Sequence, residues 1–202
     1  RQRKYRLLFV GPMPPPEGGI STSIINLLNS SLTRDFSLYR MDNSTHRSLD
    51  KMGKMDFLNT VIFMKQIIRF ITKLIRIRPH IVQVEMTSGL SILKNSVFIV
   101  ISLAAFRKVV ISIHGSGVRF INFFNTLPVF VKFIIAWILS KTDAIRILSG
   151  RWKGYFSSQF NIPSDRIIAI PNALQREFLD DIPGRKQYNE NGFKLLYLGA
   201  VG

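Results

Sequence analysis

Short apolar runs alternate along this chain with longer stretches whose apolar residues recur every three or four positions. The runs Tyr5–Val10, Phe36–Met41, Ile81–Glu85, Val109–Ile113, Ala144–Leu148 and Ile167–Ile170 read as β-strands. The stretches near Ile20–Ser31, Met55–Ile77, Leu90–Phe106, Ile121–Ser140 and Arg151–Phe160 read as helices. The strands are apolar almost throughout rather than alternating, which marks strands buried on both faces. Placed between helices, they predict an α/β fold: a Rossmann-like parallel sheet with helices on both faces and right-handed connections.

The pattern changes near the end. Residues 178–192 are polar and marked by Pro183, Gly184 and Gly192, and they read as a linker. Phe193–Gly202 then repeats the opening motif, an apolar strand running into glycine. The expected organisation is a Rossmann-like domain over 1–180, a linker over 181–192, and the first strand of a truncated second domain over 193–202. An additional strand of the first sheet is the other reading of that last segment.

Composition narrows the chemistry. Hydrophobic residues make up 47% of the 202 positions, enough for a sizeable core. There is no Cys, which excludes disulfides and thiolate metal sites and makes a reducing cytoplasm the simplest setting. His46, His80 and His114 are too scattered to form a recognisable metal motif. No signal-peptide core is visible, and the most apolar stretches are interrupted by Lys65 and Arg69, by Lys94 and by Lys132, so no membrane span is expected.

The formal net charge of +16 calls for an anionic partner: ligand phosphates, anionic lipid head groups or nucleic acid. Nucleic acid fits least, because no recognition helix or aromatic stacking motif accompanies the basic residues. Phe57–Arg78 interleaves Ile, Phe and Leu with Lys65, Arg69, Lys73, Arg76 and Arg78. That pattern suits a membrane-surface helix, and equally a core helix with a solvated basic face.

In parallel sheets of this kind ligands bind beyond the carboxyl ends of the strands. The first strand is followed by Gly11-Pro12-Met13-Pro14-Pro15-Pro16-Glu17-Gly18-Gly19 and then a helix. Strand, glycine loop and helix N-terminus present backbone N–H groups to an anion, although the same residues also make a tight strand-to-helix connection. The motif is neither G-x-G-x-x-G nor a phosphate loop ending in Gly-Lys-Ser/Thr. The other strand ends offer Glu85 to Ser88, His114-Gly115-Ser116-Gly117, Ser149-Gly150-Arg151 and Pro171-Asn172. His114 is suited to proton transfer or to orienting a substrate hydroxyl, or else only ties down its loop. Ser149 reads as a helix N-cap or a ligand contact, Arg151 as a phosphate contact or a solvated side chain, and Glu85 as an acceptor contact or a polar strand end.

These pieces together resemble the N-terminal half of family 4 glycosyltransferases, the retaining group with the two-domain GT-B fold. The matching segments are Gly11–Ser21, Val109–Gly117, the turn at Ser149, and Ile170-Pro171-Asn172-Ala173-Leu174. The resemblance covers Tyr5 to Phe178 in order, and Leu195–Gly202 resembles the first strand of the second domain. It implies sugar transfer from a nucleotide-sugar donor to a glycan or lipid-linked acceptor, with no cofactor and no bound metal. It also implies that Gly18 and Gly19 lie against the donor diphosphate and that His114 is the catalytic-cleft histidine. Glu85, Ser116, Ser149, Arg151 and Asn172 are then the candidate substrate contacts. The family's P-N-G-V-D segment reads Pro171-Asn172-Ala173-Leu174-Gln175 here, so only a structural role carries over for that turn. The acidic motif and diphosphate-holding cations of the family belong to the second domain, so the chain alone is expected to be inactive. The alternative is a non-catalytic anion- or lipid-binding module.

Overall fold

The computed structural model describes residues 4–15, 18–46, 56–87, 89–115 and 117–172. Its six strands are β1 (Tyr5–Gly11), β2 (Phe36–Asp42), β3 (Ile81–Met86), β4 (Lys108–Ile113), β5 (Ala144–Ile147) and β6 (Ile167–Ala169). They form one sheet in the order β2-β1-β3-β4-β5-β6, and every pair is parallel. The α-helices are α1 (Gly19–Leu28), α2 (Phe57–Ile77), α3 (Leu90–Ala104), α4 (Gly117–Thr126), α5 (Val129–Ser140) and α6 (Lys153–Phe160). The expected Rossmann-like α/β class is the observed one. The expected linker and second-domain strand lie outside the described residues.

Strand pleating sorts the core into two clusters. Leu8 and Val10 of β1 join Val82, Val84, Val109, Ile111, Ile145 and Ile147 in the large cluster, packed against α2 to α6. Leu7 and Phe9 point the other way, into a small cluster with Ile24 of α1. Helices therefore cover both faces, unequally. Right-handed crossovers account for this: only the β1-to-β2 connection moves one way along the sheet, and all later ones move the other way.

One expected helix splits in two. Ile121–Ser140 reads as one amphipathic stretch, but α4 ends at Thr126 and α5 begins after Pro128. Proline lacks the N–H for the helical ladder and disfavours helical geometry at the preceding residue. By contrast α2 runs without a break from its Asp56 cap, whose carboxylate accepts the Asn59 N–H at 2.6 Å, to Arg78 just before Pro79.

Two glycines are demanded by close approach. A Cβ on Gly11 would stand 2.6 Å from Ile24 Cδ1 and 2.8 Å from Glu85 Cγ. One on Gly117 would lie 2.3 Å from the Trp152 indole, so the loop after β4 is pressed flat against the loop after β5. Gly11→Ala and Gly117→Ala should each cost about 1–3 kcal/mol through overpacking. Gly19→Ala, where a Cβ meets nothing within 4 Å, should shift stability by less than about 0.5 kcal/mol. Denaturant unfolding of the three variants checks this ordering.

Candidate active site

The strand order reverses between β1 and β3, so the crevice at their carboxyl ends is the expected ligand position. One wall is the proline–glycine loop. Gly18 is extended (φ −164°) and caps α1. Its N–H donates to Ser21 Oγ at 2.9 Å, and that hydroxyl donates back to the Gly18 carbonyl at 2.8 Å. The loop is therefore tied to the first turn of α1, whose leading amides have no intrahelical acceptor. Both glycines are exposed, and around Gly19 the described residues leave open space.

The other wall is a polar row built by strand register. Glu85 of β3 is paired with Ser112 of β4, and Ser112 with Arg146 of β5. Parallel register brings these side chains to one face, and His114, two residues beyond Ser112, joins them. His114 Nε2 meets Glu85 Oε2 at 2.5 Å and Ser112 Oγ at 3.2 Å. Gln83 Nε2 donates to Glu85 Oε1 at 2.8 Å. Glu85 is 2% exposed and His114 5%, so the carboxylate is out of water and depends on these donors. Glu85 thereby fixes which imidazole nitrogen carries the bonded proton and leaves Nδ1 as the free edge of the ring among the described residues.

The site turns on Gly115, whose φ of +91° suits glycine and whose position directly follows His114. Ser116 lies outside the described residues. Arg146 donates to Ser112 Oγ, to the carbonyls of Ile170 and Pro171, and to Asn172 Oδ1 at 3.1–3.2 Å. Asn172 is thus fastened to the sheet end. Burial lowers the Arg146 pKa, against the pull of Glu85. Ser149 occupies the cap of the short 3-10 turn Gly150–Trp152 but makes no side-chain cap bond. Arg151 is exposed, its guanidinium 5.8 Å from the Trp152 ring centre.

A second polar cluster closes the β2 side, and the sequence reading passed over it. Asp42 Oδ1 accepts the Met13 N–H at 3.2 Å and both the amide and hydroxyl of Ser44. Its Oδ2 pairs with His46 Nε2, and His46 Nδ1 lies 2.8 Å from the Pro15 carbonyl. The loop after β2 is thereby tied to the proline loop. Burial pushes the Asp42 carboxyl up, but the bonds from Ser44, His46 and Met13 together outweigh it and hold the group below its usual value. Beside it, Lys94 Nζ donates to the Asn43 carbonyl, Asn43 Nδ2 donates to Asn95 Oδ1 at 2.9 Å, and Asn95 Nδ2 donates to the Glu85 carbonyl at 2.9 Å. Burial lowers the Lys94 ammonium to about 8, with Asp42 pulling the other way. Arg146 carried one signal in the sequence, a lone cation inside the apolar run Ala144-Ile145-Arg146-Ile147. Asp42 and His46 carried none beyond standing at a strand end.

Neither a protein-family model nor a curated protein sequence matches this chain. Solved structures share its fold. A protein described as a UDP-N-acetylglucosamine 2-epimerase from Listeria monocytogenes superposes with a TM-score of 0.50 at 10% identity, over 82% of this chain and 44% of that one. A glycosyltransferase from Rickettsia africae gives 0.49 at 16% identity, over 88% and 45%. Anabaena HepE in complex with UDP gives 0.44 at 10%, over 85% and 45%. The chain spans less than half the length of these structures. At such identities the likeness is one of fold: the α/β Rossmann-like architecture of GT-B enzymes.

His46 is held above the usual histidine value, by the Asp42 carboxylate first and the Pro15 carbonyl next. His80 is pushed below it, by burial first and then by Arg6 and Arg107. A raised folded-state value means that the His46 tie contributes fully below the ordinary value of 6.5 and is lost as pH rises through the folded value. NMR titration should place His46 above 6.5 and His80 below it, and Asp42→Asn should bring His46 down.

Proposed function

We propose that this chain is the N-terminal, acceptor-side domain of a retaining glycosyltransferase. The sugar comes from a nucleotide-sugar donor and goes to a cell-envelope glycan or lipid-linked acceptor. The reaction takes place in the cytoplasm, at the anionic inner surface of the membrane. One observation carries the reading: the proline–glycine loop after β1 and a buried, carboxylate-held histidine after β4 flank the end of β3, which carries Glu85. No helix of the described residues is long and apolar enough to cross a membrane. In this reading the attachment to that surface is peripheral.

Each wall has a task in this reading. The amides at the start of α1 and the open space at Gly19 receive the donor diphosphate. His114, oriented by Glu85, places the acceptor hydroxyl or takes its proton through Nδ1. Ser116, Ser149 and Arg151 are the candidate contacts for the sugar and acceptor. Asn172 and Arg146 hold the far rim in position. Nucleotide sugar is substrate here, and the chemistry of these residues asks for no cofactor.

The test is a transfer assay on the full product of the gene, with nucleotide sugars and lipid extracts. Removing His114 outright leaves one oxygen of the buried Glu85 carboxylate without its donor while Gln83 still holds the other, which costs about 1–3 kcal/mol of stability. His114→Gln keeps a donor for Glu85 and removes the imidazole. It should fold normally and lose about 10²–10⁴-fold in turnover. Near-normal turnover in that variant would overturn the role of His114. Nucleotide-sugar binding with no transfer under any condition would favour a non-catalytic binding module instead.

A further inference from the structure

The longest helix has two apolar stripes, and the fold uses one. Phe63, Ile67, Phe70, Leu74 and Ile77 of α2 pack on the core. Phe57, Val61, Met64, Ile68, Ile71 and Ile75 recur at alternating steps of four and three, which sets them along one line of the helix. That second line faces outward: Ile68 is 63% exposed and Ile75 66%. Lys65, Arg69 and Arg76 each follow a stripe residue by one position, so they sit about 100° around the helix on the same flank.

The outward apolar surface continues beyond α2. Helix α3 packs between α2 and α5 in the same layer. On α5, Val129, Phe130, Phe133, Ile134 and Trp137 face out, with Phe133 at 72% and Trp137 at 52% exposure. Lone exposed apolar residues are ordinary on a protein surface, but rows of them on two helices of one layer mark a docking face.

Charge decides what docks there. None of the six α-helices contains an Asp or Glu. Below the stripe, a groove of about 700 Å³ is lined by Lys4, Arg6, Arg76 and Arg78 together with Tyr39 and Ile75, and none of the described residues lining it is acidic. A second copy related by a two-fold axis would bring cation to cation along this flank. An anionic lipid surface meets both halves of the pattern, phosphates at the cations and acyl chains at the stripe.

We propose that the outer face of the α2–α3–α5 layer docks on an anionic phospholipid membrane, with the outward α2 stripe in the acyl boundary and the basic flank and groove on the head groups. This deepens the membrane-surface partner of the proposed function and rests on that part of the reading alone. The helix lies in the plane of the membrane, and the strand-end crevice stands beside the layer that holds it there.

Vesicle sedimentation tests the face without any donor or acceptor. The chain should bind vesicles of phosphatidylcholine and phosphatidylglycerol in equal parts, bind pure phosphatidylcholine weakly, and release in high salt. Lys65→Gln, Arg69→Gln and Arg76→Gln should each weaken binding about fivefold, and the three together about a hundredfold. Ile68→Gln with Ile71→Gln, and separately Phe130→Gln with Phe133→Gln, should weaken it at least about tenfold. Circular dichroism confirms that each variant is folded, and the exposed charge variants carry the test if an apolar pair is not. Vesicle binding untouched by these changes overturns the proposal. So does absence of binding, whether the chain stays monomeric or forms a dimer that Ile68→Gln with Ile71→Gln dissolves. A gene product that transfers sugar but ignores vesicles overturns the docking face and leaves the transfer reading standing.

Discussion

A carboxylate buried in the middle of a parallel sheet must be paired, and Glu85 is held by His114 on the next strand and Gln83 on its own. Much of the crevice follows from that pairing. Gly11 has no side chain because Ile24 and Glu85 occupy the space. His114 is turned by Glu85 so that its Nε2 is committed to the carboxylate. Ser112 links the pair to Arg146, which in turn anchors the segment leading to Asn172. The row is costly to bury and is stable because each member supplies another's missing hydrogen bond.

The loops beyond the strand ends are fixed by contact as much as by conformation. Gly117 lies against Trp152, which couples the loop carrying His114 to the one carrying Ser149 and Arg151. Asp42 and His46 bind the proline loop from the opposite side. The described residues at these strand ends are thus held to one another across the crevice.

Placement of the helices creates a second asymmetry. One helix covers one face of the sheet and five cover the other, because the connections after β2 all run in the same direction. The five-helix layer has an inner apolar side, consumed by the core, and an outer side that remains apolar on α2 and α5. The sequence reading of Phe57–Arg78 left a membrane helix and a core helix as alternatives. The two stripes show how one helix serves in the core and still presents an apolar, basic-flanked surface.

Hydrophobic periodicity alone determined the α/β class, all six strands and most helices, since buried parallel strands and amphipathic helices leave unmistakable local patterns. It also located Gly18, Gly19 and His114 at strand ends. It ran Ile121–Ser140 together as one helix because apolar spacing continues across Pro128, whose effect is on the backbone and not on the pattern. Only the tertiary structure decided what the polar residues do. Glu85 and His114 are 29 residues apart, and Arg146 and Asn172 are 26 apart. Those distances close only when strand register and right-handed crossovers set the pieces side by side. Exposure was equally invisible: an apolar stripe looks the same in sequence whether it faces the core or the outside, and packing against the sheet can use only one side of a helix.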